Sequence, residues 1–143
     1  MIMKKIILVL SAILCCVSVF GCEKVDKLEL ENNIAYSVYE NGEGDEKTDM
    51  ISFYMTSDST NGVVWNYSLE NNDVLEIFHE TQEEKEAKNG TANYRTLILK
   101  PKAEGEVYVN FELSDGSLKS EYCVIVEKNE NGILKINMME PAL

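Results

Sequence analysis

Polar and apolar positions alternate with a period of two over most of this chain. The cleanest stretch is 106–113, where Val107, Val109, Phe111 and Leu113 fall on one face and Tyr108, Asn110 and Glu112 on the other. Segments 34–39, 50–55, 63–69, 74–79, 94–99 and 121–126 are likewise rich in β-branched and aromatic residues, and 133–136 adds a short edge strand. Turn signals separate them: 41–45 with Gly42 and Gly44, the polar stretch 57–62, the run Asn71-Asn72-Asp73, and the pairs Glu104-Gly105, Asp115-Gly116 and Asn131-Gly132. Pro101 stops the segment 94–99. Residues 80–92 break the pattern. Glu83, Glu84, Lys85, Glu86 and Lys88 make them highly charged, and they read as a long exposed loop ended by Asn89-Gly90. No segment of helical period competes. Short strands with turn signals every 8–12 residues or so predict an all-β antiparallel sandwich of about seven strands over 34–137, followed by a loose tail, 138–143.

The N-terminus reads differently. Lys4 and Lys5 precede an apolar run, 6–20, broken only by Ser11 and Ser18, and charge returns at Glu23, Lys24, Asp26 and Lys27. A basic start, an apolar middle and a small residue at the cut describe an export signal, and the run is shorter than the roughly 20 residues a spanning helix needs. Val19-Phe20-Gly21-Cys22 resembles the bacterial lipobox, in which a small residue precedes the cysteine; Phe20 is bulkier than that pattern usually has. The resemblance implies that residues 1–21 are removed and that Cys22 becomes a lipidated N-terminus. Two or more acyl chains give stable attachment to a bilayer, where one is marginal. The protein is then held on the extracytoplasmic face of a cell membrane, with 22–33 as lipidated end and tether. A plain signal peptide or an uncleaved anchor helix is the alternative.

Charge narrows the function. Removing residues 1–21 leaves 122 of 143 residues and takes Lys4 and Lys5 from 13 basic residues, so 11 face 25 acidic ones, a net of −14. That excludes a nucleic-acid partner, whose phosphates demand a basic surface. Cys15 and Cys16 leave with the signal and Cys22 takes lipid, so Cys123 is the one thiol left and no internal disulfide can form. Cys123 lies among strand residues and reads as a half-buried small hydrophobe.

The sequence calls for no cofactor and no metal. One cysteine and His79 cannot supply four zinc ligands, and the acidic runs 43–49 and 83–86 lack the spacing of a calcium loop. No nucleophile and base assemble around His79, so an enzyme is not expected.

Two stretches together resemble the chagasin family of cysteine-protease inhibitors. That family has a loop Asn-Pro-Thr-Thr-Gly, then an aromatic, any residue and Trp. Here Asp58, Ser59, Thr60, Asn61 and Gly62 are followed by Val63, Val64 and Trp65, with Thr60, Gly62 and Trp65 in register. Segment 94–105, with Ala103 and Gly105 in its turn, and the strands at 107–113 and 122–126 fit the rest of the family's pattern. The resemblance covers roughly residues 34–127. It implies an immunoglobulin-like fold and a partner, a papain-like cysteine protease, whose cleft is filled by three neighbouring loops. Those loops fall at Asp58, Ser59, Thr60, Asn61 and Gly62; at the charged stretch around Gly90; and at Asp115 and Gly116. Ser59 stands where the family has Pro, Asn61 where it has Thr and Val63 where it has an aromatic. The third loop lacks the family's Arg-Pro-Trp, which removes a hot-spot residue type. Trp65 belongs to a strand and is expected in the core. The alternative is a lipid-anchored sandwich of the same shape that binds another protein or a glycan.

Overall fold

The computed structural model describes residues 31–42 and 47–139. The expected export signal, Cys22, most of the expected tether, part of the turn at 41–45 and residues 140–143 lie outside the described residues.

The described residues form eight successive strands: β1 (Asn33–Asn41), β2 (Thr48–Asp58), β3 (Trp65–Leu69), β4 (Leu75–Ala87), β5 (Gly90–Pro101), β6 (Gly105–Leu113), β7 (Lys119–Lys128) and β8 (Leu134–Met139). They form two four-stranded antiparallel sheets, ordered β1-β2-β5-β4 and β3-β6-β7-β8. Taking β1 to β7 as strands A to G gives A-B-E-D against C-F-G, the strand order of a constant-type immunoglobulin domain, with β8 added beside G.

The alternation read from the sequence is what lets the sheets face each other. Ile51, Phe53 and Met55 of β2 and Leu97 and Leu99 of β5 meet Val107, Val109, Phe111 and Leu113 of β6 and Val124 and Val126 of β7, all essentially inaccessible. Phe53 and Phe111 pack across the sandwich with ring centroids 5.0 Å apart, and Tyr122 lies 5.3 Å from Phe53. Each large side chain so buried contributes about 1.5–3 kcal/mol. Trp65 is in this core, 2% exposed, and its Nε1–H donates to the Thr56 carbonyl at 2.9 Å. Burying an indole without a partner for its N–H would cost, and this bond removes the cost.

The structure corrects the reading of 80–92. These residues are strand: β4 runs unbroken to Ala87, past a bulge between Ile77 and His79, and pairs with β5 down to Ala87 opposite Gly90. Only Lys88 and Asn89 make the turn. The period-2 signal fails because β4 is an edge strand exposed on both faces from Glu76 to Glu84, so neither face selects for apolar residues. Charge along such an edge discourages pairing with a second chain. At the other end of the chain, Met138 and Met139 belong to β8, opposite Val124 and Cys123, and are not tail.

β8 also fastens one sheet to the other. Thr48 Oγ1 of β2 donates to the Leu134 carbonyl at 3.0 Å, and Asp49 Oδ2 accepts the Ile136 N–H at 2.8 Å. Lys135 Nζ sits 3.5 Å from Asp49 and 3.4 Å from Glu40.

Candidate functional site

Antiparallel order sends the β2–β3, β4–β5 and β6–β7 connections to one end of the sandwich. The residues singled out from the sequence therefore converge, and hydrogen bonds hold their loops together. The Ser59 N–H donates to the Thr91 carbonyl at 2.8 Å, and the Thr91 N–H donates to Thr60 Oγ1 at 3.0 Å, joining the first loop to the β4–β5 hairpin beside Gly90. On the other side, the Ser114 N–H donates to the Val64 carbonyl at 2.8 Å and the Val64 N–H to Ser114 Oγ at 3.1 Å, joining the first loop to the third.

The first and third loops are also braced from within by the same local device. Asp58 Oδ1 accepts from the Thr60 N–H at 3.1 Å and from Thr60 Oγ1 at 2.6 Å. Asp115 Oδ1 accepts from the Ser117 N–H at 3.0 Å and from Ser117 Oγ at 2.7 Å. An acidic side chain bonding its own backbone two residues on is a turn-forming motif. These bonds favour the ionised form, so the Thr60 hydroxyl holds Asp58 below the usual aspartate range and the Ser117 hydroxyl does the same for Asp115. Gly62 has φ +79° and closes the first loop with its N–H on the Ser59 carbonyl at 2.9 Å; only glycine takes that conformation at little cost.

Not all of the predicted contact residues reach the surface. Thr60, Asn61, Gly62, Asp115 and Gly116 are exposed, while Asp58 and Gly90 are half-buried. Ser59 is 5% exposed; its Oγ donates to Glu84 Oε1 at 2.8 Å, so its side chain is turned inward.

The structure adds residues that the sequence reading missed. Thr91 and Ser114 are the ties between loops, and Glu84 is the brace under Ser59. Leu118, 44% exposed, is an apolar side chain displayed beside the third loop. It borders a shallow groove of about 190 Å³ with Asn32, Ile34, Trp65 and Tyr122. Its signal was present as the one large apolar residue in a polar turn.

Below the loops the two sheets are bridged by charge. Arg95 of β5 pairs with Glu80 of β4, donates to the Trp65 carbonyl, and lies over the Tyr67 ring of β3 at 5.4 Å from its centroid. Tyr67 Oη donates to Glu80 Oε2 at 2.7 Å. Burial and then the Glu80 carboxylate push the Tyr67 phenol up to about 12. The Tyr67 hydrogen bond, followed by Arg95, holds Glu80 below the usual glutamate range.

Two other features lie elsewhere. His79 is exposed on β4. Cys123 is 6% exposed on the outer face of its sheet, where Sγ donates to Glu106 Oε1 at 3.2 Å; burial, then that carboxylate, push its thiol up, which makes it a poor nucleophile. That outer face also carries an open polar groove of about 500 Å³ lined by Asn66, Ser68, Asn110, Glu112, Lys119 and Glu121. Among the described residues no group of His, Cys, Asp or Glu is placed to hold a metal ion.

Comparison of the chain with protein-family models, with curated proteins and with solved structures finds no match.

Proposed function

We propose that this chain is a lipid-anchored, extracytoplasmic binding protein that uses the loop end of its immunoglobulin-like sandwich to occupy the cleft of a papain-like cysteine protease and block it. The observation that carries the reading is the convergence of three loops tied by Ser59–Thr91, Thr91–Thr60 and Ser114–Val64 bonds. Loops already ordered by two sheets and by their own side chains lose little entropy on binding. The contact surface is then Thr60, Asn61 and Gly62 at the centre, the hairpin beside Gly90 on one side, and Asp115, Gly116 and Leu118 on the other. Blocking a cleft in this way needs no catalytic group and no cofactor.

The test is residual activity of several papain-like proteases mixed with residues 23–143, which contain every described strand. Inhibition that Asn61→Arg abolishes at unchanged melting temperature supports the reading. No inhibition at micromolar concentration across such enzymes sinks it. A second reading, a module for another protein or a glycan, is favoured by the polar outer groove. It gains if oligosaccharides bind and Asn110→Ala weakens them while the loop variants do not.

A further inference from the structure

A strand at the edge of a sheet presents a row of unpaired backbone N–H and C=O groups, and three of the four edges here are closed to another chain. Strand β4 is closed by charge and shape: Glu76, Glu80, Glu83, Glu84 and Glu86 lie along it, and a bulge interrupts it between Ile77 and His79. Strand β8 has outward groups taken from within, the Leu134 carbonyl by Thr48 Oγ1 at 3.0 Å and the Ile136 N–H by Asp49 Oδ2 at 2.8 Å. Strand β3 is five residues long, and its Trp65 carbonyl is taken by Arg95. Strand β1 has none of these protections. It is terminal in its sheet, nine residues long, pairs with β2 without a bulge and carries Glu40 as its one charge. Glu40 is itself paired with Lys135 at 3.4 Å. Among the described residues, no backbone group of Asn33–Asn41 bonds outside the β1–β2 ladder.

We infer that β1 is an assembly edge and that its occupant is the β1 of a second copy of this chain, antiparallel across a two-fold axis. Full overlap of the nine residues places Ser37 on the axis opposite its own copy, with Tyr36 opposite Val38, Ala35 opposite Tyr39, Ile34 opposite Glu40 and Asn33 opposite Asn41. Two four-stranded sheets then become one of eight. Charge selects this edge. Each copy has a net charge of −14 without residues 1–21, so two copies meet only where carboxylates are kept apart. Across the β1 pair the two Glu40 side chains stand about 20 Å apart, well beyond the screening length of about 8 Å at physiological salt. The two β4 strands end at the far edges of the joined sheet, about 34 Å apart. Pairing through β4 would instead set the five glutamates of one copy against those of the other. The apolar surface agrees with the charge. Tyr36 is 36% exposed at this edge, although its ring packs 5.6 Å from Tyr122 and 6.2 Å from Phe53. In the pair its open side meets Val38 and, diagonally, Tyr36 of the copy. On the other face, small Ala35 leaves room for Tyr39. Antiparallel pairing points the two loop ends in opposite directions and leaves both free, so the inference does not rest on what the loops bind.

The experiment is disulfide cross-linking of the full chain, in intact cells and after purification, with cysteines placed along the edges in a Cys123→Ala background. Directly opposed residues of an antiparallel pair have Cα atoms about 4.5–5.5 Å apart, within the span of a disulfide. Ser37→Cys is expected to give a covalent dimer under mild oxidation. Asn33→Cys and Asn41→Cys should each fail alone, because each stands about 26 Å from its own copy, and the double variant should succeed. Thr81→Cys, at the middle of β4, should stay monomeric. All these variants share Cys15, Cys16 and Cys22, so a difference between them reports on the edges alone. Sedimentation equilibrium then measures the strength of association for residues 23–143, once a cooperative urea transition shows them folded. A concentration-dependent dimer is expected. Ser37→Lys opposes two like charges on the axis and should weaken it about fivefold or more at unchanged melting temperature, while Ser37→Thr leaves it as it was. Absence of the cross-link at position 37 overturns the inference, and so does a folded domain that stays monomeric at millimolar concentration. A dimer that cross-links at position 81, or that ignores Ser37→Lys, assigns the contact to another edge. A position-37 cysteine that cross-links in cells only to a different protein removes the second copy as the occupant.

Discussion

The hydroxyl of Thr60 accepts the backbone N–H of Thr91 at 3.0 Å while donating to Asp58 at 2.6 Å, so one side chain fastens the first loop to the β4–β5 hairpin and braces it internally. Thr60→Val keeps the shape and removes both bonds. At about 0.5–1.5 kcal/mol for each lost bond, and with the Thr91 N–H left to find water, it is expected to lower stability by about 1–2 kcal/mol. Thr60→Ser keeps the hydroxyl and should stay within about 0.5 kcal/mol of the parent. The specific check is amide exchange: the Thr91 N–H should exchange faster in the Val variant and unchanged in the Ser variant. Equal exchange in both would show that the hairpin holds itself without Thr60.

The Tyr67–Glu80–Arg95 bridge gives stability a pH signature with two windows. Tyr67 titrates near 10 in the unfolded chain and is pushed up to about 12 in the fold. A raised pKa means that its contribution is fully present below about 10 and is lost as pH rises from there toward about 12. Glu80 is held below the usual glutamate range, chiefly by the Tyr67 hydroxyl, so its contribution is present above the unfolded value and is lost as pH falls through the folded one. Tyr67→Phe is therefore expected to flatten melting temperature against pH on both sides, relative to the parent protein. Parallel profiles for the two proteins would assign the bridge no part in stability.

How much of this was legible in the sequence depended on what each strand faces. Strand β6 lies inside its sheet with one face in the core, so Val107, Val109, Phe111 and Leu113 announced themselves by period. The edge strand β4 has little core to meet beyond Leu75, and Thr81, Gln82, Glu83 and Glu84 carry no periodic signal although they pair residue by residue with β5. Its strand character comes from its partner's backbone, which no local pattern encodes. The loop residues were legible as turn formers, and their convergence followed from strand order once the strand at 74–79 was extended to Ala87. Ser59 looked like its exposed neighbours. Only the position of Glu84 beneath it, 25 residues on, turns it inward. Leu118 was visible as an apolar residue, but its display beside the loops was not.

Asp49 tests whether β8 is a structural strand or an appendage. Its carboxylate accepts the buried Ile136 N–H at 2.8 Å and lies 3.5 Å from Lys135. Asp49→Ala leaves that N–H without its acceptor, at a cost of about 1–3 kcal/mol. Asp49→Asn keeps an acceptor oxygen and loses only the charge pairing with Lys135, which is partly solvated and worth about 1 kcal/mol or less. The order of stability should be parent, then Asn, then Ala, read from urea midpoints. Amides of β8 should exchange ahead of those of β6 in the Ala variant. If Ala and Asn are equally stable, the Ile136 bond does not hold β8 to β2.

Gly105 opens β6 where the chain must pass close under Val74. Its φ is +151°, and a Cβ there would meet Val74 Cγ2 at 2.7 Å. Val74 is 7% exposed and β-branched, so its side chain has little freedom to turn aside. Gly105→Ala therefore combines backbone strain with a steric overlap and is expected to cost about 3 kcal/mol or more. Gly132→Ala separates the two effects. Its φ is +75° and open space surrounds the added methyl, so it should cost only the left-handed penalty of about 1–2 kcal/mol. Val74→Ala on its own destabilises by removing buried methyl groups, yet in the Gly105→Ala background it also relieves the overlap. The double variant should be more stable than the sum of the single losses predicts, by about 1 kcal/mol, a coupling that a double-mutant cycle measures directly. Strict additivity would assign the whole cost of Gly105→Ala to its backbone conformation and none to Val74.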